Sequence, residues 1–281
     1  MIGIISGTAF VSLGAGGEDG ACEPIPVETP YGPVVLLRTK LGGKTVYFLQ
    51  RHLQKYEAGS MKSEVLATGR SSSGKSADFH DAGLPKTADA LTTHLCVPPH
   101  LVNYRANIWA LKAAKVDKII SVSAVGSLKR EIAPGNYVVV DDFIDFTKAR
   151  QSTFFETEKV HTDVSEPYDP KIRKALLSAC KKIGAKAHDG GVYVCTEGPR
   201  FETKAEIRMM AQFGDVVGMT GVPEVVLANE LKIPYANLCF SANYACGIAK
   251  GIMDEVKIEK LCADRAKEIT AILENAVKIL G

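Results

Sequence analysis

The chain has no apolar run approaching the roughly 20 residues needed to span a bilayer. Its charges almost cancel, with 34 Lys and Arg against 32 Asp and Glu for a formal charge of +2. The first absence argues against a membrane protein, and the second provides no electrostatic footprint for nucleic acid or an anionic membrane surface. The seven cysteines are scattered and form no CxxC pair. No His, Cys and carboxylate cluster stands at metal-ligand spacing either, so neither a disulfide framework nor a metal centre is expected, and a reducing, cytoplasmic setting fits. The first residues, Met1–Ser6, lack a basic leader and read as a strand rather than a signal peptide. What is present is ordinary for a soluble globular protein, 46% apolar and 23% charged over 281 residues, a length within reach of one α/β domain.

Chemistry concentrates between Thr196 and Ala245. Three polar groups stand there, Thr196–Thr203, Val217–Glu224 and Ser241–Ala245, each at the edge of an apolar or β-branched run. Such groups fall at strand ends and helix starts, and open α/β sheets bind ligands beyond the carboxyl ends of their strands. Earlier in the chain, Ile2–Ser6 reads as a strand ending on Gly7-Thr8. Val34–Arg38 and Lys44–Gln50 read as strands paired around Gly42-Gly43, the second delivering Arg51-His52. Helical spacing of Leu101, Tyr104, Ile108 and Leu111 predicts a helix over Leu101–Lys115 with Trp109 in the core. Lys118–Ala124, Val138–Asp141 and Tyr235–Ser241 read as strands, and Lys171–Lys182, Thr203–Phe213 and Asp254–Leu280 as helices. Asp141, Asp142 and Asp145 are expected to face solvent or a subunit contact. From Gln54 to Thr93 no period is sustained, and a mobile loop with at most one short helix is expected. Within it, Gly69–Ser76 matches G-x-x-x-x-G-K-S, but neither an apolar strand before it nor a helix start after it supports a working phosphate loop.

These separated motifs, from Gly7-Thr8 through Arg51-His52 and Val102–Lys112 to Asn243, resemble those of the trimeric purine nucleoside phosphorylases and their methylthioadenosine phosphorylase branch. One gap, near 54–93, breaks that run of motifs. The resemblance implies one α/β domain over 1–281, a central mixed twisted β-sheet flanked by helices, and a homotrimer. It implies a purine nucleoside and inorganic phosphate as partners, phosphate being a co-substrate, with no cofactor, no metal and no nucleic acid. Residue by residue, it assigns phosphate to Thr8, Arg51, His52, Ser123, Ala124 and Thr220. It assigns the nucleoside to Phe201, Glu202, Met219 and Asn243, with His161 bordering the 5′ end of the sugar across the trimer interface. Where the family carries a further histidine, ungapped counting places Leu95, with His94 one residue off and given no role.

Substrate choice follows from hydrogen-bond polarity. A 6-oxopurine offers N1–H as donor and O6 as acceptor, whereas a 6-aminopurine offers the reverse. An ionised Glu202 only accepts, while Asn243 both donates and accepts, so the pair suits hypoxanthine or guanine, with Asn243 serving the departing base. The methylthioadenosine branch has aspartates in place of Asn243 and Ala245 and no glutamate at Glu202, and all three departures favour the 6-oxopurine. A buried mismatch of this type discriminates by as much as ~10⁴-fold. Phosphorolysis of 6-oxopurine nucleosides is therefore expected. The alternatives are methylthioadenosine phosphorolysis, a P-loop NTPase through Gly69–Ser76, and a non-catalytic nucleoside-binding protein. Two plainer readings stand beside this one. Glu202 could be an acid in the first turn of the following helix, and Asn243 a turn residue after its strand.

Overall fold

The structure, a computed structural model, describes residues 1–7, 22–57, 92–250 and 254–281. Its strands are β1 (Ile2–Ser6), β2 (Glu23–Val27), β3 (Val34–Leu41), β4 (Lys44–Gln50), β5 (Leu53–Glu57), β6 (Thr92–Cys96) and β7 (Lys118–Ser127). Further along come β8 (Tyr137–Val139), β9 (Asp142–Asp145), β10 (Ala187–Asp189), β11 (Val192–Cys195), β12 (Val216–Gly218) and β13 (Tyr235–Tyr244). All but β5 and β6 join one mixed sheet of 11 strands in the order β10-β8-β13-β7-β1-β4-β3-β2. Its centre is parallel, with Ile4 beside both Phe48 of β4 and Ile120 of β7. At the carboxyl end of β7, Gly126 and Ser127 also pair with β12, from which β11 and β9 branch. That branching gathers the ends of β1, β4, β7, β11, β12 and β13 around one space.

Parallel strands buried on both faces carry apolar side chains on both, and two clusters result. On one face Ile5, Ile119, Tyr235 and Cys239 pack with Tyr104, Ile108 and Leu111 of α1 (Tyr104–Ala113). On the other, Ile4, Ile120, Val122, Leu238 and Phe240 pack with Ile172 and Leu176 of α2 (Pro170–Lys182). The helix starts follow from their caps. Asn103 accepts a hydrogen bond from the Ala106 N–H at 3.0 Å, and Asp169 from that of Ile172 at 2.8 Å, each satisfying a donor that the first turn leaves unpaired. The short α3 (Lys204–Met210) opens with a capping box between Thr203 and Glu206. After it come α4 (Gly221–Glu230), on the first face, and the 26-residue α5 (Glu255–Leu280), whose Ile269, Ile272, Leu273 and Ala276 line the second. Fully burying each such aliphatic side chain stabilises the fold by about 1.5–3 kcal/mol.

Several expectations need correction. The segment before α1 is a 3₁₀ turn, Pro99–Leu101, with Leu101 59% exposed, and the α-helix waits for the Asn103 cap. Trp109 is half-buried in an aromatic group with Tyr31 and Phe154 rather than in the core. The two ends of the 54–93 stretch are no loop, because β5 and β6 pair antiparallel, with Gln54 opposite Leu95. Its interior, including Gly69–Ser76, lies outside the described residues. Asp141, Asp142 and Asp145 are exposed, as expected.

Candidate active site

The carboxyl ends of the strands enclose a cavity of about 450 Å³, lined among others by Gly7, Arg51, His52, Ala124, Phe201, Glu202, Met219, Thr220 and Asn243. That volume lies within the range of ligand pockets. Arg51 follows β4 and is 1% exposed. Its Nε donates to Glu224 Oε2 at 2.7 Å, and its Nη2 to Glu224 Oε1 at 3.0 Å and to Ser121 Oγ at 2.6 Å. Ser121 and Tyr235 hydroxyls also donate to Glu224 Oε1, at 2.9 and 2.7 Å. Burial opposes the guanidinium's charge, but attraction and hydrogen bonding to Glu224 more than offset it and hold Arg51 protonated beyond an ordinary arginine. The two-pronged edge expected to grip phosphate is thus spent on Glu224. Nη1 remains on the cavity side, 3.4 Å from where a Cβ on Gly7 would stand.

His52 is 7% exposed and its Nδ1 lies 2.8 Å from the Val97 carbonyl oxygen. A carbonyl can only accept, so Nδ1 carries the proton of the neutral ring and Nε2 is left as an acceptor. Burial, then the charge of Arg51, outweigh the Val97 bond and lower the His52 pKa to about 4. The imidazole is neutral at physiological pH.

Glu202 precedes the Thr203 cap and so lies outside α3, which removes its reading as a first-turn acid. Thr196, at the end of β11, donates its hydroxyl to Glu202 Oε1 at 2.6 Å, which turns the half-buried carboxylate toward the cavity. Asn243 is no turn residue but sits inside β13, after a register shift between Ser241 and Asn243. A bulge of this sort re-aims a side chain, and Asn243 joins the lining, its Nδ2 donating to the Tyr244 carbonyl at 2.9 Å. Phe201 is 40% exposed at the cavity edge. Gly198 has φ +67°, and a Cβ there would stand 2.6 Å from Met219 Sδ, so glycine both permits the turn and leaves room for Met219.

Three expected residues are not among the described residues that line the cavity. Thr8 lies outside the described residues. Ser123 is 2% exposed and lies one residue short of the Ala124–Gly126 step that lines the cavity. His161 is exposed in its loop and does not line its own chain's cavity.

Two residues were not singled out by the sequence. Glu224 could have been: a carboxylate inside the apolar run Val222–Leu227 is costly unless paired. Arg150 gave no signal, since it lies in a polar loop. Its Nη1 donates to Val222 O at 2.6 Å and to Tyr104 Oη at 3.1 Å, its Nη2 to Glu197 O at 2.9 Å, and its Nε to Glu197 Oε1 at 3.0 Å. Arg150 thus ties the Thr196–Glu202 loop to the start of α4 and to α1.

Comparison with known proteins agrees with this geometry. Residues 2–278 match the model of the phosphorylase superfamily. A protein of Methanosarcina acetivorans named probable S-methyl-5′-thioinosine phosphorylase is 42% identical over 261 residues, covering 92% of this chain and 82% of its own. The 6-oxopurine nucleoside phosphorylase of Pyrococcus furiosus is 38% identical over 263 residues, covering 90% and 84%. Among solved structures, a methylthioadenosine phosphorylase from an Antarctic soil metagenomic library superposes with a TM-score of 0.74 at 31% identity, covering 98% of this chain and 84% of that one. A methylthioadenosine phosphorylase of Schistosoma mansoni in complex with adenine reaches 0.79 at 25% identity, covering 100% and 91%. With its strand-end cavity, mixed sheet and match over nearly its whole length, this chain belongs to the phosphorylase superfamily.

Proposed function

We propose that this chain cleaves the N-glycosidic bond of 6-oxopurine nucleosides with inorganic phosphate, releasing the free base and a ribose 1-phosphate. The observation that carries this reading is that Glu202 and Asn243 line the same cavity as Arg51 and His52. Phosphate sits against Arg51, His52, Thr220 and the Ala124 step, and the resemblance assigns Thr8 to phosphate as well, while Met219 and Phe201 pack on ribose and base. As the bond stretches, the sugar becomes cationic and the base gains negative charge. The Asn243 amide supports that charge where it develops, and the phosphate anion stabilises the sugar and attacks C1′. Glu202, with one oxygen held by Thr196, accepts N1–H through the other. Methylthioadenosine suits the cavity less well, because Ala245 puts a methyl group there and Glu202 would meet the N1 lone pair.

The two sequence relatives named above, 42% and 38% identical, are named for S-methyl-5′-thioinosine and for 6-oxopurine nucleosides generally, and both classes are proposed substrates, in purine and methylthio salvage. The working unit is a homotrimer in which His161, exposed in one protomer, borders the sugar of the next. The site uses no metal or organic cofactor. The six described cysteines are free thiols, which suits the cytoplasm.

The test is phosphate-dependent turnover of inosine, guanosine, methylthioinosine, adenosine and methylthioadenosine. The three 6-oxopurine nucleosides should lead, and methylthioadenosine turning over fastest would overturn the reading. Asn243→Asp combined with Glu202→Ser should move preference toward 6-aminopurines.

A further inference from the structure

Arg51 Nη1 and His52 Nε2 stand around one glycine, 3.4 and 3.8 Å from the point a Gly7 Cβ would occupy. The first is a donor. The second is an acceptor, because Val97 holds the imidazole proton on Nδ1. A donor beside an acceptor suits an anion that itself carries an ionised oxygen next to a hydroxyl. We propose that His52 is a specificity determinant that accepts the P–OH of hydrogenphosphate through Nε2, so that the seat selects against tetrahedral dianions with no proton to give. This inference rests on the phosphate reading above and goes beyond it by assigning each partner its proton.

The surroundings keep the ring neutral. The charged and titratable groups acting on it are Arg51 beside it, Glu224 from α4, and Arg150 from its loop, and Arg51 already has its counter-ion in Glu224. No carboxylate bonds His52 Nδ1, whose partner is a backbone oxygen. Turned to the cavity, Nε2 would face an ionised sulfate oxygen lone pair to lone pair, an unpaired contact at a ring only 7% exposed. Hydrogenphosphate avoids this by turning its one hydroxyl to His52. Its ionised oxygens then remain for Arg51 and for attack on C1′.

The experiment measures KM for phosphate at pH 7.5 and competitive inhibition by sulfate and by fluorophosphate, in which fluorine replaces the hydroxyl. In the wild type both proton-free dianions should bind at least ~10-fold more weakly than phosphate. In His52→Gln the side-chain amide can present a donor, and the gap should collapse to within about threefold, sulfate gaining while phosphate weakens. Sulfate competing as well as phosphate binds in the wild type would overturn the proposal, as would a gap of unchanged size in His52→Gln. If that variant fails to fold, the wild-type ratios decide alone. Absence of any phosphate-dependent turnover would sink the proposed reaction itself, whereas a normal phosphate KM with equal sulfate affinity sinks the role of His52 alone.

Discussion

Arg51 and Glu202 face the same cavity, but the structure treats them differently. Arg51 is enclosed, with Glu224, Ser121 and Tyr235 forming a closed set of charge-assisted hydrogen bonds around it. Glu202 is half-buried next to the exposed Phe201, and it accepts a hydrogen bond from one threonine hydroxyl. A buried charge must be paired to be tolerated, so the Arg51 side is tied to the stability of the whole sheet. The Glu202 side carries little of the fold and can be altered at little structural cost. Preorganisation of the anion seat and discrimination of the base are therefore separable, one built into the core and the other onto a loop after β11.

Substitution should expose this difference most strongly at Glu224. Glu224→Ala leaves the Arg51 guanidinium buried without its counter-ion, and urea unfolding should show a loss of about 3–5 kcal/mol. A loss under ~1 kcal/mol would mean that the Arg51 side is no more structural than the base side.

Next in size is an acid effect centred on His52. Its folded pKa is depressed to about 4, against about 6.5 unfolded. Between those values the unfolded chain binds more protons, so stability is full above pH 6.5 and is lost as pH falls toward 4. The contribution is about 3 kcal/mol. Unfolding curves at pH 7 and pH 5 should differ less in His52→Gln than in the wild type, and equal differences would remove His52 from the balance.

Smallest in stability is Glu202→Gln, which should shift the unfolding free energy by less than ~1 kcal/mol. The same change should cut the kcat/KM preference for inosine over adenosine by about tenfold or more, because the amide can both donate to and accept from N1. An unfolding loss as large as that of Glu224→Ala would erase the contrast between the two sides.

Much of this was legible in one dimension. Periodicity and turn chemistry located β1, β4, β7, α2 and α5 to within a few residues, since apolar spacing and caps are local. The hydrogen-bond polarity of Glu202 and Asn243 is a property of the residue types, and it argued for the 6-oxopurine before any contact was known. Other features were not local. The helix start at Asn103 rather than Leu101 turned on which of two neighbouring segments found a cap. The lining of β7 begins at Ala124 rather than Ser123, and how far a cavity reaches along a strand is set by the neighbouring strand ends, not by local sequence.

The chain by itself determined its class, its strand-end loops and the donor and acceptor inventory of its base site, because these depend on residue identity and short-range spacing. Only the tertiary structure decided that Arg51 spends two of its nitrogens on Glu224, 173 residues away, that Arg150 clamps three elements together, and that Val97 fixes the His52 tautomer. Those facts arise where distant strands end side by side, and no local pattern encodes which buried charge will meet which.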